Sequence, residues 1–226
     1  MLAWTAALLS RALAEAPPAS AFSPWFSERD VEVRIARATD GWPWIQAVGI
    51  VEEAADTLAA RLTDWAAYPA LFKPALRHVA VLEQRPGHAR LHMVWRVPFP
   101  FRDRDGIVRY RAARKPHGTW HIDWRDDVRP GDPATGVRIA AIEGSTVIEP
   151  ITVARSRVTY RYLGDLGGDF GTHLNERAWR AESLHYFKSL RTAAPAEPRP
   201  ENEPAARRAP HRVSTVRGAV ESGSGK

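Results

Sequence analysis

The 226-residue sequence contains no cysteine, so it can form neither disulfide bonds nor thiolate metal sites. It has no apolar run near the ~20 residues that a membrane-spanning helix needs. Gly-x-Ser-x-Gly, phosphate-loop and dinucleotide-binding glycine motifs are also absent. The signatures of a serine hydrolase, a nucleotide-binding enzyme and a membrane-spanning helix are therefore missing.

The histidines do not suggest a metal site. His88 and His92 are four residues apart on a predicted strand, where that spacing covers ~13 Å and is too long for one ion. His121, His173 and His185 have no acidic or histidine partner at ligand spacing. We expect no metal and no cofactor.

Charge and aromatic content indicate the type of surface and interior. The formal net charge is +6, and its dispersion along the chain favours a solvated basic surface over a nucleic-acid site. Transient contact with an anionic membrane surface is the alternative. Nine tryptophans in a chain that is 44% hydrophobic predict an aromatic-rich core or pocket.

Composition divides the chain into three parts. Residues 1–21 are either a signal peptide, which implies a periplasmic or exported protein, or an amphipathic helical segment of a cytoplasmic one. The first interpretation rests on the apolar start and on Ala19-Ser20-Ala21, and the second on the lack of basic residues at the start. Residues 22–192 form the predicted domain, and residues 193–226, rich in Pro, Arg, Ala and Glu, are predicted to be disordered.

The order of predicted elements indicates an α+β domain with an antiparallel sheet. Alternating apolar residues predict strands at 31–37, 44–51, 79–84, 88–97, 105–112, 120–125, 137–142, 146–148 and 157–162. Helical spacing predicts helices at 52–65 and 172–191, with one further turn at 68–72. Gly144 is interpreted as a break or bulge. A sheet of this extent needs a cover on one face, and the terminal helix is long enough to provide it.

The main expectations about a binding site concern a stiff loop and the terminal helix. Two prolines in Pro98-Phe99-Pro100 exclude a central strand there, so we expect Phe99 and Phe101 to pack against the core or a ligand. Trp179, Tyr186, Phe187 and Leu190 form one apolar side of the helix. Leu174, Ala178 and Ala181 form another, with His185 among them. Two apolar sides indicate either a deeply buried helix or one that also borders a cavity.

Several segments together resemble the START family of lipid-transfer domains over residues 25–191. The matching residues are Pro98-Phe99-Pro100, Arg104-Asp105, Gly136-Val137-Arg138-Ile139, Gly144 to Pro150, Arg157-Val158-Thr159-Tyr160, Asp165, Gly167-Gly168 and Leu174-Asn175. The sequence departs from the family pattern at Thr146, Leu166 and Gly171. The resemblance implies a helix-grip fold, in which a curved antiparallel sheet wraps around a long C-terminal helix and leaves an apolar tunnel for one lipid or sterol-like molecule. It also implies that the 98–103 loop is part of a gate.

With this resemblance, thirteen residues are candidates for ligand binding. They are Met93, Trp95, Phe99, Phe101, Arg104, Trp120, Ile122, Trp124, Tyr160, Tyr162, Leu174, Ala178 and Ala181. Core packing is the alternative for the aromatic strand residues. A structural ion pair with Asp105 is the alternative for Arg104.

The resulting prediction is a monomeric, non-enzymatic carrier or sensor of a lipid or other hydrophobic molecule. One alternative is a helix-grip cyclase or aromatase, for which His92, His121, Asp123 and Tyr160 are the candidates. Another is a ubiquinone-binding chaperone. Two titratable groups converging in the interior would favour an enzyme, whereas a carrier should have an almost purely apolar interior.

Overall fold

The computed structural model describes residues 16–37, 42–139, 141–167 and 172–192, with the backbone alone for 172–174. Its strands are β1 Ser23–Glu28, β2 Val31–Ala36, β3 Trp44–Val51, β4 Leu76–Arg85, β5 His88–Trp95, β6 Arg104–Arg114, β7 Trp120–Asp126, β8 Val137–Arg138, β9 Ala141–Thr152 and β10 Arg155–Asp165. Its α-helices are α1 Ala55–Leu62, α2 Tyr68–Leu71 and α3 Thr172–Thr192. Predictions for residues 1–15, the turn at Asp40-Gly41, most of the glycine-rich connection and the 193–226 tail lie outside the described residues.

All ten strands belong to one sheet in the order β1-β2-β3-β10-β9-β7-β6-β5-β4, with β8 beside β6. Every pair along this path is antiparallel, and β8 is parallel to β6. The predicted α+β antiparallel sheet with a terminal helix is therefore confirmed. β1 was not predicted, because the sequence SPWFSE shows no regular alternation of apolar and polar residues.

The first predicted helix is shorter than expected. α1 ends at Leu62, and a 3-10 turn at Trp65–Ala67 leads into α2. Pro69 lies in the first turn of α2, where the missing N–H has no helical partner to lose. The further turn predicted at 68–72 is thus present, as a separate short helix.

Gly144 neither breaks nor bulges its strand, so that interpretation was wrong. β9 runs through it with continuous register, opposite Trp124 on β7 and Tyr162 on β10. A Cβ at Gly144 would lie 2.5 Å from Cζ2 of Trp124 and would also collide with the Arg161 carbonyl oxygen. Glycine here allows the Trp124 ring to lie directly over the strand.

One side of α3 packs on the concave face of the sheet as predicted. Trp179, Tyr186, Phe187 and Leu190 are all buried. The second predicted apolar side is not buried: Ala178 is half-buried and Ala181 is exposed, and the side chain of Leu174 lies outside the described residues. The interpretation of α3 as a helix buried all round was therefore wrong, because this side also carries the polar residues Glu182 and His185.

The convex face of the sheet holds a buried polar layer. His92 Nε2 lies 3.2 Å from Asp105 Oδ2, and both side chains are almost fully buried. The segment that leads from β7 to β8 covers them, since the Thr135 N–H donates to Asp105 and Arg138 pairs with it at 3.3 Å. None of the described helices combines the length and apolarity that crossing a membrane requires.

Candidate functional site

Six aromatic side chains form a closed circuit on the concave side of the sheet. In order around the circuit they are Tyr68, Phe72, Tyr186, Tyr160, Trp124 and Tyr110. Successive ring centroids are 5.2, 5.7, 3.8, 5.5, 5.9 and 5.9 Å apart, the last distance closing the circuit from Tyr110 to Tyr68. Within the described residues, no ring contact joins Tyr110 to Tyr186 across it. We call these six residues the aromatic circuit.

Three layers of structure build the aromatic circuit. Strands β6, β7 and β10 contribute Tyr110, Trp124 and Tyr160, which point to the concave face because alternate strand residues share a face. α2 and the residue after it contribute Tyr68 and Phe72. α3 contributes Tyr186, whose ring is nearly parallel to that of Tyr160, at 4°. The aromatic circuit therefore joins the two helical covers to the sheet.

Rings of the aromatic circuit are desolvated and still keep accessible surface. Tyr110, Trp124 and Tyr160 are 7%, 8% and 8% exposed, whereas their neighbours Leu91 and Val108 are at 0%. Burial raises the pKa of Tyr110 and Tyr160, as it does for the other three tyrosines of the chain. These side chains are thus packed inside the domain with little accessible surface left.

Glu182 on α3 is the acidic group of this region. Its Oε1 accepts a hydrogen bond from the Tyr160 hydroxyl at 3.2 Å. Burial raises the pKa of Glu182, while His185 and the Tyr160 hydrogen bond lower it. The side chain is only half-buried by accessible area. Glu182 and Tyr160 are therefore the titratable pair that the structure joins by a hydrogen bond between α3 and the sheet.

Known structures share this architecture. A STAR-related lipid transfer protein from Xanthomonas axonopodis superposes with a TM-score of 0.65 at 18% identity, over 76% of this chain and 97% of that one. Human StAR-related lipid transfer protein 5 gives 0.65 at 12% identity, over 77% and 86% of the two chains. The lipid transfer and protein localization domain of human StarD13 gives 0.67 at 16% identity, over 75% and 87%.

The chain has the fold of START domains. The resemblance found in the sequence is thus confirmed at the level of the fold. No protein-family model matches the sequence. No curated protein matches it either.

Within this START fold, four of the predicted ligand-binding residues belong to or adjoin the aromatic circuit. Trp124 and Tyr160 are members. Tyr162 stacks on Tyr160 at 4.9 Å, and Met93 accepts a hydrogen bond from the Tyr110 hydroxyl at 3.6 Å. Ile122 is also buried on this face, at 2% exposure. Their role in ligand binding stays a prediction, but their side chains do converge.

Other predicted residues lie elsewhere in the START fold. The Trp120 indole N–H donates to Asp56 of α1 at 2.7 Å, and the half-buried Trp95 lies against Gly106. Arg104 is buried and donates to the carbonyl oxygens of Leu166, Gly167 and Arg102. Asp105 bonds to different partners on the convex face. Arg104 and Asp105 therefore serve separate contacts, and the predicted ion pair between them is not the arrangement seen.

The loop between β5 and β6 differs from the expectation that both of its phenylalanines are packed. Phe99 was expected to pack on the core or a ligand, yet it is 95% exposed, and Phe101 is half-buried. The two prolines hold this segment out of the sheet, and the Phe101 N–H donates to the Pro98 carbonyl at 3.1 Å. Phe99 therefore lies at the tip of a tight turn.

Of the candidates named for an enzyme, only Tyr160 faces the interior. His92 is on the convex face with Asp105, and His121 and Asp123 alternate with the buried Ile122 and Trp124, so they also point outward. Tyr160 and Glu182 are instead the groups that converge inside.

Two surface pockets, of about 740 and 220 Å³, lie near the C-terminal end of α3. The larger is lined by Asp30, Ile50, Val51, Glu52, Glu53, Arg155, Leu190 and Arg191. Neither pocket is lined by a predicted ligand-binding residue.

Tyr68, Phe72, Tyr110, Tyr186 and Glu182 are site residues that the sequence interpretation missed. One signal was available for Glu182, since Ala178, Glu182 and His185 share a helix side at i, i+4 and i+7 spacing. The four aromatic residues lie on three separate elements. Their convergence depends on packing that local periodicity does not encode.

Proposed function

We propose that this chain binds one lipid or sterol-like hydrophobic molecule between the concave face of its sheet and α3, as a carrier or sensor. The observation that carries the proposal is the aromatic circuit, a buried cluster of six rings between the sheet and its two helical covers. The START fold, shared with lipid transfer proteins, supports the same proposal. A mostly apolar site with a few placed polar groups is what such a ligand needs.

The expected affinity follows from burial. Enclosing ~300 Å² of ligand apolar surface contributes about 7 kcal/mol at ~25 cal/mol per Å², before the cost of ordering protein and ligand. That gross contribution corresponds to a Kd on the order of 10 μM, and the ordering costs make the net affinity for a ligand of this size weaker.

Native mass spectrometry after incubation with liposomes of mixed lipids tests the proposal. We expect one lipid per protein, and we expect Trp124→Ala to lower the bound fraction. A matched change outside the aromatic circuit, Trp25→Ala on β1, should leave it unchanged. A correctly folded protein that takes up no lipid, sterol or quinone overturns the proposal, and the identity of a recovered ligand separates a lipid carrier from a quinone-binding chaperone.

We also propose that the 98–103 loop contacts membranes during ligand exchange. Phe99 is exposed at its tip, and the exposed Arg96 and Arg102 flank it. A phenyl ring between two guanidinium groups suits an anionic bilayer surface, where the ring enters the interface and the charges meet lipid headgroups.

A second candidate function is acid–base catalysis on the bound molecule. The hydrogen bond between Glu182 and Tyr160 favours it, because two titratable groups meet between α3 and the sheet. Chemical analysis of the bound molecule before and after incubation distinguishes a carrier from an enzyme. A carrier returns its ligand unchanged after prolonged incubation, whereas an enzyme yields a product that Glu182→Gln abolishes.

A further inference from the structure

The smaller surface pocket, of about 220 Å³, lies between the second half of α3 and the turn that joins β1 to β2. We call it the rim pocket. It is lined by three apolar and three cationic side chains and by one hydroxyl, namely Val31, Leu184, Phe187, Arg29, Lys188, Arg191 and Thr192. Among the described residues no carboxylate lines it, whereas the larger pocket, which shares Arg191 with it, is lined by three carboxylates and two arginines. Of these two pockets, the rim pocket therefore carries charge of one sign.

The α3 side chains of the rim pocket follow the i, i+3, i+4, i+7, i+8 spacing that places residues on one side of a helix. They are Leu184, Phe187, Lys188, Arg191 and Thr192. Val31 at the start of β2 is 1% exposed, and Phe187 is fully buried. Lys188 and Arg191 are exposed. The rim pocket thus has an apolar floor and a cationic edge.

Arg191 joins α3 to the β1–β2 turn. Its guanidinium donates to the carbonyl oxygens of Arg29, Asp30 and Ile50 at 2.6, 3.2 and 3.0 Å. Arg29 and Asp30 both have positive φ, 52° and 57°, a left-handed conformation that favours glycine or asparagine in a two-residue hairpin turn. These bonds hold one wall of the rim pocket in place. Because their acceptors are neutral, the positive charge of Arg191 remains.

The cations of the rim pocket receive little compensation from the protein. Lys188 forms no ion pair with a described residue. Arg29 pairs with Glu28 at 3.6 Å, and Arg180 pairs with the same carboxylate at 2.9 Å. Asp30 lines the larger pocket instead. An anion in the rim pocket would therefore meet a net positive charge.

The volume of the rim pocket limits the size of its guest. At ~30 Å³ per water molecule, about 220 Å³ equals the volume of roughly seven waters. Pockets for drug-sized ligands begin at about 300 Å³. A chain of about six carbons with one charged head is of the matching size.

We infer that the rim pocket binds a small amphiphilic carboxylate. The hydrocarbon body would contact Val31, Leu184 and Phe187. The carboxylate would accept charge-assisted hydrogen bonds from Lys188 and from Arg191, whose guanidinium has more donors than its three bonds use. The rim pocket shares no residue with the aromatic circuit, so this inference is independent of the proposed function.

Hexanoate is the probe that tests it, with hexylamine, 1-hexanol and acetate as comparison ligands. Titration of the ¹⁵N-labelled full chain, monitored by amide chemical shifts, gives each Kd and shows which residues respond. We expect hexanoate to bind on the order of tenfold more tightly than each of the others. Hexylamine has the opposite charge, hexanol has no charge and acetate has no hydrocarbon body. The shifts should centre on residues 29–31 and 184–192.

Three variants locate the binding. Lys188→Gln removes a cation that has no ion-pair partner among the described residues, so the fold should be kept and hexanoate should bind roughly two- to tenfold more weakly. Arg177→Gln is the matched control, because Arg177 is also exposed on α3 and lies about three turns from Lys188. Both variants lose one positive charge, so an effect of net charge alone would change both Kd values equally. Trp124→Ala, in the aromatic circuit, should leave hexanoate binding unchanged.

The possible outcomes separate this inference from the proposed function. Equal Kd values for hexanoate, hexylamine and hexanol would overturn it, because they would show that the protein binds hydrocarbon without recognising the head. Hexanoate binding that is lost in Trp124→Ala but kept in Lys188→Gln would also overturn it, since the site would then be the aromatic circuit. Neither result bears on the uptake of a lipid, and hexanoate binding by a protein that takes up no lipid would support the rim pocket alone.

Discussion

Gly144 shows how one residue without a side chain sets the geometry of the interior. It lies between Trp124 and Tyr162 on neighbouring strands, and its missing Cβ leaves space for the Trp124 indole. That placement brings Trp124 to 5.5 Å from Tyr160. An alanine would force the indole and the Arg161 carbonyl away from their positions.

We therefore expect Gly144→Ala to lower the free energy of unfolding by about 1–3 kcal/mol, the usual cost of overpacking a core. Urea denaturation, monitored by tryptophan fluorescence, measures this change in the free energy of unfolding. Gly164→Ala on β10 is the control, because a Cβ there would have no neighbour within 4 Å. Equal effects of the two substitutions would show that the Trp124 contact is not the cause.

The raised pKa of Glu182 predicts that the stability of the domain depends on pH. Burial raises its folded-state pKa above the ordinary 4.5, so the unfolded chain releases this proton first as the pH rises. Stability associated with the protonated group is fully present below the unfolded pKa and is lost as the pH rises through the folded pKa. The groups that interact electrostatically with Glu182, namely Tyr110, Tyr160, Tyr162, His185 and Tyr186, are retained in a Glu182→Gln variant.

The urea midpoint of Glu182→Gln should accordingly exceed that of the wild type at pH 8, with the gap closing toward pH 4. Comparing the two proteins at each pH removes the contributions of titrating groups that do not interact with Glu182. A gap that stays constant with pH, or one that widens on acidification, contradicts a raised pKa for Glu182.

Among the elements, α3 is anchored by buried arginines at both ends. Before its start, Arg104 donates to the Leu166 and Gly167 carbonyl oxygens. Near its end, Arg61 of α1 donates to the Leu190 carbonyl at 2.8 Å and to Glu53 at 2.5 Å. Unsatisfied carbonyls at a helix C-terminus need such partners. The helix that covers the aromatic circuit is thus tied to β6 through the segment before it and to α1 near its end.

Replacing Arg61, which holds the C-terminal end of α3, should lower the free energy of unfolding. Arg61→Met leaves the half-buried Glu53 without its cation, and we expect a loss of stability of up to about 3–5 kcal/mol, the cost of breaking a buried pair in this way. Adding Glu53→Gln to this variant should restore part of the lost stability, because the double variant no longer carries the unpaired Glu53 carboxylate. The exposed pair of Arg155 and Glu52, at 3.0 Å, is the control, and Arg155→Met should cost less than about 1 kcal/mol. Denaturant midpoints that rank Arg155→Met as the worse substitution would contradict this role of Arg61.

The 98–103 loop gives a second prediction at the scale of elements. We expect Phe99→Ser to reduce flotation with liposomes that contain phosphatidylserine, because a phenyl ring contributes apolar burial at the interface. Val153→Ser is a closely matched control, since Val153 is also 95% exposed but lies in the turn between β9 and β10. Equal losses for both variants would mean that exposed apolar surface, and not this loop, drives the contact.

At the scale of the whole molecule, the sequence predicted the parts that depend on local pattern. Strand alternation placed β3 at residues 44–51, and helical spacing placed α3 within one residue of its end. It did not predict the aromatic circuit, because Trp124 reaches Tyr160 only through the register of β7 and β10 with β9. Nor did it predict Glu182 inside, because the rotation of α3 is fixed by packing of Trp179 and Phe187 on the sheet.

Ligand binding should stabilise the whole domain, and it should slow backbone hydrogen exchange most in the elements that contact the ligand. A ligand that binds only the folded state adds about 2.7 kcal/mol at a free concentration of 100 times Kd. Phe72 after α2 and Tyr186 of α3 adjoin each other in the aromatic circuit, so we expect a ligand bound there to restrict the motion of both helices. Hydrogen exchange with and without decanol should therefore slow most in α2 and α3. Stabilisation that leaves exchange in both helices unchanged would place the ligand elsewhere, such as in the surface pocket beside Arg191.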